Sequence, residues 1–199
     1  MLKRLQFLTS GESHGKGLLG ILDGLPAGLE ISEEYIDRQL KRRQMGHGRG
    51  GRMKIEKDHA QIWGGVRHGL TLGSPIGILI DNLDWKNWTK KMSVEPVNEK
   101  VRPVTLPRPG HADLAGVHKY EFDDIRNILE RSSARETTMR VALGSVCRKL
   151  LEDIGIHVGS RVVQIHNAKD KSEYELRPDD INGRADKSPV RCLDTKAEK

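Results

Sequence analysis

The residues best suited to acid–base and anion chemistry fall in four short segments. The first is Gly11-Glu12-Ser13-His14-Gly15, an imidazole and a hydroxyl in a turn bounded by glycines. Glycine lets a backbone approach a ligand closely, and imidazole titrates near neutral pH, so His14 can protonate a leaving group. The serine is not centred between the glycines of a GxSxG elbow, which argues against a nucleophilic serine. The residues alone leave a second reading open, a polar turn with an exposed histidine.

The second segment, Arg42 to Arg52, sets Arg43, Arg49 and Arg52 among glycines where they could converge on one polyanion. Guanidinium binds carboxylate and phosphate through a planar fork that lysine lacks. A solvated basic loop and a Gly/Arg RNA-binding element are the competing readings. In the third, Arg108-Pro109-Gly110-His111-Ala112-Asp113, the Pro-Gly turn restricts Arg108 and His111. Asp113 either caps a following helix or orients His111. The fourth, Glu130-Arg131-Ser132-Ser133-Ala134-Arg135-Glu136-Thr137, precedes an apolar-periodic run. Hydroxyls and unpaired N–H groups at a helix start make an anion site. Ser133 and Glu136 also have the spacing of a capping box. The other histidines show no metal-ligand pattern, no metal is expected, and Trp63, Trp85 and Trp88 read as packing residues.

Positioning these groups requires a scaffold. Strands are expected over Gln6–Thr9, Leu18–Leu22, Gln61–Trp63, Gly69–Leu72 and Ile76–Ile80, with a turn over Gly24–Gly28. Ser32 caps a helix running to about Gln44, whose Ile36 and Leu40 share a face. Residues 82–110 form a long irregular polar segment. A long helix runs from Ser133 to Ile154, with Met139, Leu143, Val146, Leu150 and Ile154 in register and Gly155 just past its end. Ile156–Ile165 alternates as a strand would. The polar sequence after Asn167 closes on no structural element and offers little to cover the helix's apolar stripe. The whole, residues 1–199, reads as a portion of one α+β domain with no linker.

The charge balance, 34 Lys and Arg against 28 acids, favours an anionic partner. With aromatics at only 4%, stacking platforms for single-stranded nucleic acid are scarce, so a small anion fits better than nucleic acid. No run approaches the ~18 apolar residues of a membrane span, and no apolar segment follows Met1–Arg4 as a secretory signal would. Cys147 and Cys192, with no CxxC spacing, suggest neither a disulfide framework nor a zinc site, and a cytoplasmic location is expected.

GESHG, RRQMGHGRGGRM, RPGHAD and RSSARET, in this order, resemble the chorismate synthase family. The resemblance implies a β-α-β sandwich with helices between antiparallel sheets, and a homotetramer. It implies a phosphate lyase of the shikimate pathway of aromatic amino-acid biosynthesis. The reaction is 1,4-elimination of phosphate from 5-enolpyruvylshikimate 3-phosphate, dependent on reduced FMN. By motif, His14 would protonate the departing phosphate and His111 the reduced flavin. Ser13, Arg43, Arg49, Arg52, Arg108 and Arg135 would surround the substrate, and Arg131, Ser132 and Ser133 would hold FMN. Arg43 and Arg49 also match positions assigned to NADPH in members that reduce their own flavin. Family members are roughly twice as long. An RSD-type motif, whose Asp is linked to deprotonation, has no counterpart in residues 1–199, so these residues alone are expected to be inactive.

Overall fold

Alternating apolar residues in three segments build the main sheet. The computed structural model describes residues 4–48, 50–51, 55–172 and 178–199. Strands β1 (Gln6–Ser10), β2 (Gly17–Asp23), β4 (Gln61–Gly64) and β7 (Ile76–Asp81) form an antiparallel sheet in the order β1-β2-β7-β4. Leu18, Leu22, Ile76, Ile78 and Ile80 are buried on its inner face, as a period of two requires. Strands β3 (Ala27–Glu30), β5 (Val66–Arg67) and β6 (Leu70–Leu72) form a second antiparallel sheet. The turn expected over Gly24–Gly28 is shorter, because Ala27 already pairs with Leu72 in β3.

Helix α1 (Glu33–Gln44) begins as expected: the Ser32 hydroxyl accepts from the Tyr35 N–H, and Ile36 and Leu40 are fully buried. Helix α4 (Glu136–Asp153) crosses the inner face of the main sheet and packs on α1. Its Met139, Leu143 and Val146 join the Leu18, Ile36 and Ile78 core. The apolar stripe is therefore covered within this chain from Met139 to Leu150, contrary to the sequence expectation, and Ile154 at its end is exposed. The end of α4 is a Schellman motif: Ile156 N–H donates to Leu151 O, and Gly155 N–H to Glu152 O, with Gly155 at φ +77°.

The start of α4 differs from expectation. Its cap is Arg135, without a side-chain cap bond, and no Ser133–Glu136 capping box forms. The Ser133 hydroxyl accepts from Arg135 N–H, while the Glu136 carboxylate takes Thr9 and Arg140. Residues 156–165 are not one strand. Only β8 (Gln164–Ile165) is extended and paired, with β9 (Ala168–Lys169), and Ile156, Val158 and Val163 are exposed. Shorter α-helices among the described residues are α2 (Asp113–Tyr120), α3 (Arg126–Leu129) and α5 (Pro178–Ala185), the last in the polar stretch after Asn167, where the sequence suggested no closing element. The result is a mixed α+β chain with antiparallel sheets, as the sequence implied. Among the described residues, no helix is long and apolar enough to cross a membrane.

Gly20 tests the sheet–helix contact. A Cβ there would lie 2.4 Å from Met139 Sδ, whereas one at Gly77 in β7 meets nothing within 4 Å. Overpacking costs about 1–3 kcal/mol. Gly20→Ala is expected to lose stability in that range by urea denaturation, and Gly77→Ala to lose little. Equal effects would mean that α4 does not press on β2.

Candidate active site

The loop between β1 and β2 carries Ser13 and His14 and is shaped by glycine. Gly11 sits at φ +102°, where a Cβ would fall 2.3 Å from the Gly17 carbonyl oxygen. Two distant residues hold the loop. Asn82, 3% exposed at the end of β7, donates its amide to Glu12 O at 3.0 Å and Gly15 O at 2.9 Å. Glu130, 1% exposed between α3 and α4, lies against His14. Its Oε1 and Oε2 are 2.9 and 2.8 Å from His14 Nδ1. Oε2 also accepts from the His14 N–H, and Ser13 N–H donates to Glu130 O. The indole of Trp88 stacks on the imidazole with centroids 3.9 Å apart, and Asp84 Oδ2 stands 3.9 Å from Nε2.

A cavity of about 280 Å³ opens beside this loop, lined by Ser13, His14, Arg43, Gly50, Glu56, Ser133, Ala134 and Arg135. Arg135 is buried in its wall. Its Nε donates to Asn82 Oδ1, Nη2 to Asp81 O, and its guanidinium pairs with Asp58 and, at 3.5 Å, with Glu56. Arg43 reaches from α1 to Thr137 and Ala134 O at the start of α4, and its Nη1 lies 3.7 Å from Asp58. The helix-start amides of Glu136, Thr137 and Thr138 donate to the carbonyls of Ser133, Ala134 and Arg135. These N–H groups, which the sequence left free for an anion, are therefore committed to backbone carbonyls. A larger cavity of about 530 Å³ is apolar, lined by Leu5, Phe7, Leu22 and Leu143 among others, and shares none of these groups.

The remaining expected residues divide into three sets. Arg131 binds the end of β1, with Nη2 donating to Thr9 O at 2.7 Å, and Ser132 Oγ donates to Ile128 O at 2.6 Å. Arg108, His111 and Asp113 form a separate cluster at the start of α2. Asp113 is fully buried and accepts from Arg108 N and Nε, while Nδ1 of His111 lies 2.6 Å from its Oδ1. Asp113 therefore orients His111. Ala112, not Asp113, is the cap residue. The tautomer that fits both neighbours of His111 has Nδ1–H donating to Asp113 and Nε2 accepting from Arg108 Nη2 at 3.2 Å. Arg49 and Arg52 lie outside the described residues.

Sequence reasoning gave no role to Glu130, which opens the fourth segment, and missed Asn82, Asp58 and Glu56, none of which lies in a motif segment. It read Trp88 as packing, yet the ring packs on His14 itself. Among the described residues no cluster of three metal-ligating side chains occurs.

The fold and site thus define an α+β protein with a histidine-bearing cavity walled by arginine and serine. Residues 5–199 match the family model for chorismate synthase. The chain is 55% identical over 197 residues to a chorismate synthase of Enterococcus faecalis, covering 98% of this chain and 51% of the relative. It is 52% identical to one of Listeria welshimeri, with 98% and 51% coverage. A crystal structure of chorismate synthase superimposes with a TM-score of 0.74 at 41% identity, over 100% of this chain and 51% of that one. The chain belongs to the chorismate synthase family, and it spans about half the length of the curated relatives it matches.

The Arg108–Asp113 contact sets a pH dependence. Hydrogen bonds from Arg108 hold the Asp113 carboxyl well below the usual carboxylate range, against the opposing pull of burial. A depressed acid stabilises the fold fully above its unfolded value of about 3.9 and loses that contribution as pH falls toward the folded value. The stability gap between wild type and Asp113→Asn, measured by urea denaturation, is expected to be constant from pH 7 to about 5 and to shrink below about 4. A gap that widens on acidification would contradict the pairing.

Proposed function

We propose that this chain carries the phosphate-departure side of a chorismate synthase, a lyase acting on 5-enolpyruvylshikimate 3-phosphate. The observation that carries the proposal is the shared cavity of His14, Ser13, Ser133 and Arg43, with Arg135 behind it. The C–O bond to phosphate breaks with its electron pair leaving on oxygen. His14 supplies a proton to that oxygen, Ser13 donates a hydrogen bond, and Arg43 neutralises the developing charge. Arg135 is committed to Asp58, Glu56 and Asn82, so it acts as a fixed buried cation in the wall. Arg49 and Arg52 are assigned to the substrate on the family motif alone. Such chemistry needs a water-poor site, and the Trp88 ring covers one face of the His14 imidazole.

Reduced FMN, when bound, supplies the electron-rich ring that assists loss of the substrate's hydrogen. Arg131 and Ser133 offer donors of the right type for its phosphate. A cavity of about 280 Å³ suits a small anion better than substrate and flavin together, so the flavin ring also needs surface outside this pocket. His111, oriented by Asp113, is assigned to the flavin side, and Arg108 to the substrate's carboxylates, on the family motif alone. Arg43 and Arg49 are the candidate contacts for NADPH in flavin reduction. The homotetramer draws support from the outer face of the main sheet, where Leu8, Ile21 and Trp63 are exposed. A cytoplasmic setting fits the two free cysteines. Residues 1–199 alone are expected to bind the anion without turning it over.

The test joins residues 1–199 to the second half of the Enterococcus faecalis relative and follows chorismate formation anaerobically with photoreduced FMN. His14→Ala is expected to lower turnover by about 100- to 10,000-fold with FMN affinity largely kept. Turnover within about twofold of the parent would overturn the assignment of His14.

A further inference from the structure

We infer that Glu130 is the positioning residue for His14: it fixes the imidazole as the Nδ1–H tautomer and leaves Nε2 as the nitrogen whose proton is exchanged with a ligand. An ionised carboxylate only accepts hydrogen bonds. Both Glu130 oxygens lie within 2.9 Å of His14 Nδ1, so the hydrogen on that nitrogen is committed to Glu130. The same carboxylate takes the His14 backbone N–H at 2.9 Å, and the Glu130 carbonyl takes that of Ser13 at 2.9 Å. One residue thus fixes the ring, its backbone and the preceding residue together. Trp88, stacked at 3.9 Å, removes the remaining freedom of ring rotation. Nε2 faces Asp84 at 3.9 Å, beyond hydrogen-bond reach, on the side away from Glu130.

The inference rests on the proposed function for what Nε2 delivers. In that reading the Nε2 proton passes to the phosphate oxygen, which takes the electron pair of the broken C–O bond. The neutral product is the Nδ1–H imidazole that Glu130 already holds. No ring flip is needed before the next proton is taken up at Nε2. Without Glu130, the neutral ring would populate both tautomers, and only a fraction would present the correct nitrogen. A partner that orients a metal-bound imidazole through its other nitrogen is typically worth about 10- to 100-fold, and a loss of that size is expected here.

Two measurements test it. Nitrogen-15 NMR of the 199-residue chain, with His14 assigned through His14→Gln, is expected to show neutral His14 as the Nδ1–H form. In Glu130→Gln the two tautomers should mix. A wild-type Nε2–H tautomer would overturn the inference whether or not the variant folds, and so would a ratio unchanged in a folded variant. In the joined enzyme, Glu130→Gln should lower kcat by about 10- to 100-fold with FMN and substrate affinity nearly unchanged. An unchanged kcat also overturns it. The underlying reading fails separately: a fully active His14→Ala enzyme removes the phosphate role, whatever tautomer Glu130 imposes.

Discussion

The site depends on the burial of Arg135. Its side chain is 4% exposed, and an isolated guanidinium at that depth would cost several kcal/mol. Asp58 and Glu56 offset the charge, and Asn82 accepts its Nε hydrogen. Asn82 then turns its own amide on the two carbonyls that frame His14. The cation therefore links the start of α4 and the end of β7 to the Ser13–His14 loop. A buried ion pair is weak evidence for stability, and breaking one typically costs about 3–5 kcal/mol. What it supplies here is geometry. The same network that keeps the fold closed sets the distance between an imidazole and a cationic wall.

The supporting elements explain why that network can be rigid. The main sheet presents Leu18, Leu22, Ile78 and Ile80 to α4, and α1 closes the core with Ile36 and Leu40. Arg43, at the end of α1, reaches Thr137 and Ala134 at the start of α4. Glu130 reaches the loop from just before the same helix. Arg43 and Arg135 therefore stand on or beside packed helices, and the Ser13–His14 loop is tied to the scaffold through Asn82 and Glu130. By contrast, the outer face of the sheet leaves Leu8 and Trp63 more than 70% exposed. That imbalance accords with a chain spanning half the length of its relatives.

Much of this scaffold was legible in the sequence, because periodicity and capping are local signals. Ser32 and the Ile36–Leu40 pair gave α1. The Met139–Leu143–Val146 register gave α4, and the alternation of Ile76, Ile78 and Ile80 gave β7. Three of the four motif segments also picked out Ser13, His14, Arg43, Ser133 and Arg135, which line one cavity. Other features were not readable because they depend on partners far along the chain. Glu130 is 116 residues from His14, and Asn82 is 53 from Arg135. Ser133 and Glu136 have capping-box spacing, but Glu136 instead meets Thr9 across the fold. Residues 156–165 alternate, yet beyond the β8–β9 hairpin they pair with no strand among the described residues, and alternation alone makes no sheet.

The central claim is that the cavity beside His14 receives a phosphate-like anion through side chains. The most direct measurement is an NMR titration of the 199-residue chain with inorganic phosphate at constant ionic strength, following side-chain resonances of arginine and histidine. The account predicts saturable shifts at Arg43 and His14, with Arg161, which pairs with Asp170 elsewhere in the fold, unmoved. Shifts confined to exposed lysines and arginines, or none that saturate, would contradict it.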